Sequence, residues 1–152
     1  MAYAYINSFT TNQGLSPMTN LQVLQFIVNR MTAFDLSGAS ALTTLYASSN
    51  NPSPTSIDLS PSPLLTFASI GSNPNLTTIT NTNSYRLVNF MSAAGCALTS
   101  AVVDEILIAL SVNGISGGYC FLDGGTSGTP SVDGVNAANV LISNGWNVTY
   151  NT

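Results

Sequence analysis

The chain contains no histidine and no lysine, and its two basic residues are Arg30 and Arg86. Charged residues make up 5% of it, where about 25% is usual. Each absence removes a class of chemistry. Without histidine there is no Ser-His-Asp or Cys-His pair and no imidazole metal site. Without lysine there is no Schiff base and no P-loop cation. Two arginines against a net charge of −4 leave no electrostatic footprint for nucleic acid, whose affinity comes largely from neutralised phosphates. An enzyme here would have to run on carboxylates and hydroxyls. The reading is therefore non-enzymatic, with no catalytic residue, no metal and no cofactor.

Cysteine is scarce too. Cys96 and Cys120 cannot build a disulfide framework, and their apolar neighbours mark them as small buried hydrophobes, with a disulfide as the alternative. The longest apolar runs, around Leu21–Val28 and Ile106–Leu110, are too short to span a bilayer, so no membrane insertion is expected. Met1–Tyr5 has neither the basic nor the apolar region of a signal peptide. What remains is a 152-residue chain that is 45% hydrophobic, enough for one ordinary domain with a core. Its surface is neutral and polar, with Ser, Thr and Asn forming about a third of the sequence.

Residues 1–18 read as an N-terminal arm. Tyr3, Tyr5 and Phe9 are placed to dock on a partner by strand addition or groove filling, and a first strand of the chain's own domain is the equal alternative. Residues 19–152 read as one domain. At Thr19 the pattern turns helical: Thr19 and Gln22 form a capping box, and Leu21, Leu24, Val28 and Met31 share one face. That helix is expected to end near Arg30.

The centre, about residues 32–98, repeats. Leu42 and Leu45 recur as Leu64 and Phe67, and these recur in turn as Leu87 and Phe90. Asn51-Pro52 matches Asn73-Pro74 at the same interval. Phe34, Ile57 and Ile79 keep that interval as well, and Phe34-Asp35-Leu36-Ser37 is echoed by Ile57-Asp58-Leu59-Ser60. A period in the low twenties with aliphatics three apart is the mark of leucine-rich solenoids, in which stacked coils share one core. Prolines turn the corners.

Residues 99–152 read as a C-terminal cap. Thr99 or Ser100 caps a helix reaching about Asn113 that buries Val103, Ile106, Leu107 and Leu110, with Gly114 closing it. Tyr119–Asp123 is a strand, about Val132 to Asn144 a second helix, and Trp146–Tyr150 a last strand. Such a cap would cover an otherwise open solenoid end.

Three runs, Leu98–Leu110, Gly117–Thr126 and Leu141–Val148, together resemble the leucine-rich-repeat-like C-terminal module of phage structural and tail proteins and of some bacterial surface proteins. The resemblance extends over about residues 32–150. It implies a binding or structural unit without a catalytic set. The short repeat region and the arm before it depart from the family pattern and imply a free-standing small subunit rather than the tip of a long fibre.

Three constellations invite chemistry. Asp35 and Asp58 on matching rungs would bring carboxylates about 5 Å apart, a spacing suited to a glycosidase pair or a calcium site; solvated side chains are the expected outcome. The run Gly124-Gly125-Thr126-Ser127-Gly128 resembles a phosphate loop but lacks its lysine and is flanked by Asp123 and Asp133, so tight-turn glycines fit better. Ser48, Ser49, Asn50, Ser72 and Asn73 fall near equivalent corners. With Tyr46 and Tyr85 they form a candidate ligand face, although ladders that satisfy turn backbone are the favoured explanation.

The expected fold is thus an α/β solenoid: a short leucine-rich-repeat-like parallel β-solenoid preceded by an arm and a helix and closed by a helix–strand–helix–strand cap. The expected function is that of a small structural protein on a phage virion surface, a capsid decoration or cement subunit or a tail- or fibre-associated one. It is assembled in the host cytoplasm and binds neighbouring virion proteins, or further copies of itself. The alternative is an adhesin module on a tail fibre or bacterial surface that recognises a host receptor or surface glycan.

Overall fold

The computed structural model describes residues 2–5, 18–27, 30–50, 53–80 and 89–152. Phe9, Val28, Asn51, Pro52, Tyr85 and Leu87 lie outside them. The elements run β1 (Ala2–Tyr5), β2 (Leu21–Gln25), β3 (Thr44–Tyr46), β4 (Ser56–Asp58), β5 (Phe67–Ser69), β6 (Thr78–Thr80), β7 (Phe90–Ser92), α1 (Ser100–Ser111), β8 (Tyr119–Phe121), α2 (Val132–Ser143) and β9 (Asn147–Thr149). Seven strands form one sheet in the order β1-β2-β3-β5-β7-β8-β9, and β4 and β6 form a second. Every pairing between these strands is parallel. The molecule is therefore an α/β fold with parallel strands and two helices.

A three-residue strand has one inward side chain, because successive side chains alternate between faces. The middle residues pair from strand to strand as Leu24, Leu45, Ala68, Met91, Cys120 and Val148. Leu45, Ala68 and Met91 follow one another at equal steps along the chain, whereas the steps to Cys120 and Val148 are longer because α1 and α2 lie in those connections. In the second sheet Ile57 pairs with Ile79, and both are buried. The inward residues of both sheets join one apolar cluster that reaches from Leu21 to Trp146.

Two sequence expectations are corrected. No helix covers the described part of residues 19–30; Leu21–Gln25 is β2, paired with β1 and β3. Leu21 and Leu24 are buried together with Phe26. Two aliphatics three apart suit a helix face and a bend into a strand equally, but Phe26, two after Leu24, fits only the strand. The same triple spacing is buried at Leu42, Leu45 and Ala47 and at Leu65, Ala68 and Ile70. The second correction is a slip of one residue. Leu45 lies opposite Ala68, not Phe67, and Leu64 is 47% exposed while Leu65 is buried. One residue of slip exchanges the faces of a strand, so Phe67 and Phe90 lie on the outer face. The Phe34, Ile57 and Ile79 recurrence stands, with all three buried.

The C-terminal elements follow the sequence reading closely. Thr99 caps α1, its hydroxyl accepting from Val102 N–H at 3.3 Å, and Val103, Ile106, Leu107 and Leu110 are buried. Ser131 caps α2. The helices are tied where Asp104 Oδ1 accepts from Ser131 N–H at 2.9 Å, an approach allowed by the missing side chain of Gly134, whose Cβ would collide with that carboxylate. Gly118 has the same role beside Trp146: a Cβ there would lie 2.7 Å from the indole ring and from Asn89 O. Gly118→Ala should therefore cost about 1–3 kcal/mol through overpacking, read as a lower urea midpoint with an unchanged slope; an unaltered midpoint would refute this account of the contact.

Candidate functional site

On the outer face of the large sheet, the residues flanking the inward column form two rows. Thr44, Phe67, Phe90, Tyr119 and Asn147 make one, and Tyr46, Ser69, Ser92, Phe121 and Thr149 the other. Aromatic rings cluster across them. Phe67 and Phe90 stack with centroids 4.2 Å apart and planes 7° apart. Tyr46 leans on Phe67 at 5.0 Å, while Phe90, Tyr119 and Phe121 form a tilted trio at about 6 Å. Five rings thus run across four adjacent strands, flanked by the Ser69 and Ser92 hydroxyls. Among these rings, Tyr119 is about half exposed, at 48%.

Of this strip the sequence identifies only Tyr46, because the one-residue slip assigns Phe67 and Phe90 to the interior. The missed signal is the recurrence of Phe67-Ala68-Ser69 as Phe90-Met91-Ser92, aromatic and hydroxyl bracketing an apolar residue in both. Tyr3 and Tyr5 lie opposite Val23 and Gln25 in the backbone register of β1 and β2, so the described part of the arm is an edge strand of the same sheet.

The remaining candidates separate. Ser48 Oγ lies 3.0 Å from both the carbonyl and the hydroxyl oxygen of Ser69. Ser72 is exposed and shares a shallow pocket of about 380 Å³ with Ser49, Pro74 and Gly95. Ser49 (φ 62°), Ser72 (φ 56°) and Gly95 (φ 73°) occupy the same place in successive rungs and share the left-handed region, uncommon for serine. Each donates its N–H one rung onward, to Gly71 O, Ala94 O and Asp123 O.

Asn50 and Asn73 do not belong to an exposed face; both are fully buried. Asn73 Nδ2 donates to Ile70 O at 2.6 Å and to Ala47 O at 2.8 Å, and its Oδ1 accepts from Asn50 N–H at 3.2 Å. Asn50 Nδ2 repeats the pattern on Ala47 O and Phe26 O. The Cys96 thiol takes the next position, donating to Ile70 O at 3.5 Å. A buried amide repays its desolvation only by such bonds, so these residues hold the corners and are withdrawn from the ligand face. Asn50 Oδ1, at the end of this ladder, has no donor among the described residues.

Asp35 and Asp58 are exposed, and each accepts the N–H two residues on, from Ser37 at 2.8 Å and Ser60 at 2.9 Å. That backbone bond holds the Asp35 carboxyl below its ordinary range. Among the described residues no group of three Cys, Asp or Glu comes together. The glycine loop spends its donors internally: Gly124 N–H goes to Asn151 Oδ1, Thr126 N–H to Cys96 O and Gly128 N–H to Leu98 O. Comparison with protein-family models, with curated proteins and with solved structures finds no match for this chain.

The buried ladder makes its members sensitive to substitution and to pH. Asn73→Ala should cost roughly 2–3 kcal/mol, since it removes two bonds to buried carbonyls and takes away the side-chain oxygen that accepts from the buried Asn50 N–H; loss of under half that in chemical denaturation would mean that water replaces the amide. Burial pushes the Cys96 thiol up to about 11 and Cys120 to about 12. A raised folded value favours the protonated thiol, so this contribution is intact below pH 9 and is lost as the pH climbs from 9 towards 11. Native protein at mildly alkaline pH should resist aromatic disulfide reagents at both positions and release two thiols on unfolding; rapid native labelling would contradict the packing.

Proposed function

We propose that the chain is a non-enzymatic structural protein, a small accessory subunit on a phage virion surface that binds neighbouring capsid or tail proteins through the outer face of its large sheet. Its architecture, on this reading, is a short leucine-rich-repeat-like β-solenoid with a helical C-terminal cap. Support for the solenoid is the equal spacing of Leu45, Ala68 and Met91 along the chain, together with the leucine-rich signature L-x-x-L-x-L-x-x-N/C. That signature is matched by Leu42, Leu45, Ala47 and Asn50, by Leu65, Ala68, Ile70 and Asn73, and closes on Met91, Ala93 and Cys96.

The observation that carries the binding role is the aromatic strip. Five rings left on the outside of a sheet whose interior is already filled are not needed to close the core. Aromatic residues are enriched at the anchoring centres of protein interfaces. The face-to-face Phe67–Phe90 stack presents ring edges outward, which suits apolar side chains of a protein partner better than the broad face of a sugar. A subunit with almost no charge can be packed in many copies without mutual repulsion.

The test is to tag the protein in its source cells, band particles on a density gradient and identify what co-purifies. Stoichiometric recovery with capsid or tail proteins is expected. A Phe67→Ser/Phe90→Ser variant that keeps its circular dichroism should leave the particle band. Recovery alone, or with envelope fragments, would overturn the virion assignment in favour of a cell-surface adhesin.

A further inference from the structure

We propose that the cleft at the C-terminal end of the aromatic strip, between Phe90, Tyr119 and the Ile115–Gly117 turn, binds a single neutral sugar ring. The cleft holds about 240 Å³ and is lined by Asn89, Phe90, Ile115, Ser116, Gly117 and Tyr119. Sites for drug-sized ligands start near roughly 300 Å³, so this one has room for one six-membered ring and not for a chain of them. Among the described residues no charged side chain lines it, which suits a neutral ligand.

Its walls are fixed before any ligand arrives. On one side Trp146 Nε1 donates to Ile115 O at 2.9 Å, Ile115 N–H donates to Asn113 Oδ1 at 2.8 Å, and Gly117 N–H donates to Asn144 O at 3.1 Å. On the other, Asn89 N–H donates to Thr66 O at 3.0 Å and Asn89 O accepts from Tyr119 N–H at 2.9 Å. Gly118 lets the two walls close around the indole. A preformed site avoids the ordering cost that weakens small-ligand binding.

The lining supplies both halves of sugar recognition. Tyr119 is half exposed, and its ring neighbours Phe90 and Phe121 are tilted by 45° and 51° rather than stacked, so neither lies flat against its face. In this it differs from Phe67 and Phe90, which cover each other. An uncovered aromatic face takes the C–H face of a pyranose by apolar contact. The Asn89 amide and the Ser116 and Tyr119 hydroxyls make no hydrogen bond among the described residues, and they are available to ring hydroxyls. Phe90 and Ile115 form the apolar remainder.

This inference goes beyond the virion reading and does not rest on it; Phe90 and Tyr119 belong to both surfaces, but Phe67 does not line the cleft and Asn89 is outside the strip, so substitutions at these two positions let particle association and sugar binding fail separately. The test uses the full chain with methyl glycosides of glucose, galactose, mannose and N-acetylglucosamine, observed by saturation-transfer NMR. Fluorescence of Trp146, the single tryptophan, supplies a second readout from beneath the Ile115 wall. At least one neutral glycoside should show saturable transfer, with glucuronic acid inert. Asn89→Ala and Tyr119→Ser should each weaken binding about tenfold or more, whereas Tyr46→Ser on the same sheet face should not change it. Absence of saturable transfer with all four glycosides overturns the proposal, and so does binding that survives both Asn89→Ala and Tyr119→Ser.

Discussion

The structure depends on a restriction that follows from its very short strands. Three residues give one inward side chain, too little to bury alone, so each strand is stable only if that side chain meets the one before and the one after it. The column Leu24, Leu45, Ala68, Met91, Cys120 and Val148 is that chain of dependence. Because the described strands pair in parallel, each connection between neighbours must travel back to its starting end, and its corner must satisfy backbone groups in the interior. The Asn50–Asn73–Cys96 ladder and the left-handed Ser49, Ser72 and Gly95 do this at one corner. Core and corners are therefore a single device: an amide that bonds carbonyls of its own rung and of the rung before fixes the step between them.

That device frees the outer face from structural duty. With inward residues and corner asparagines holding the rungs together, outward positions are constrained mainly by fitting beside their neighbours at the strand spacing. Aromatic rings satisfy this when stacked, as Phe67 and Phe90 are, and stacking contributes about 0.5–1.5 kcal/mol beyond area burial. A ring with tilted neighbours gives up part of that gain and keeps surface for something else. The change from stacked to tilted geometry occurs along the row towards Tyr119, beside the cleft.

Legibility in the sequence follows from the same physics. The helices and strands after residue 98 can be read because caps, periodicity and stopping glycines are local signals: Thr99, Ser131 and the Val103–Leu110 face each announce themselves within one turn. The repeat can be read as a period but not as a register. Leu64 and Leu65 are adjacent leucines, and only the three-dimensional partner decides which is buried. That choice also decides the candidate site, since the slip sends Phe67 and Phe90 inward and leaves Tyr46 as the lone aromatic on the face. Strand β2 is missed for a related reason: Leu21 and Leu24 satisfy helical and strand-entry spacing alike, and Phe26 is the residue that separates them.

The polar residues mark the limit of composition as a guide. A chain so rich in Ser, Thr and Asn invites the view that its amides and hydroxyls face a ligand, yet Asn50 and Asn73 are among its most deeply buried side chains. Beside parallel strands this short a buried amide is less a binding group than a fastener, because it bonds carbonyls that follow two neighbouring strands at once. Binding groups are then to be sought where the ladder ends and the fastening stops repeating. Between β7 and β8 the step lengthens to admit α1, and the Ile115–Gly117 turn rises beside Tyr119. There the regular pattern breaks, a concave surface opens, and polar groups are left over that no rung requires.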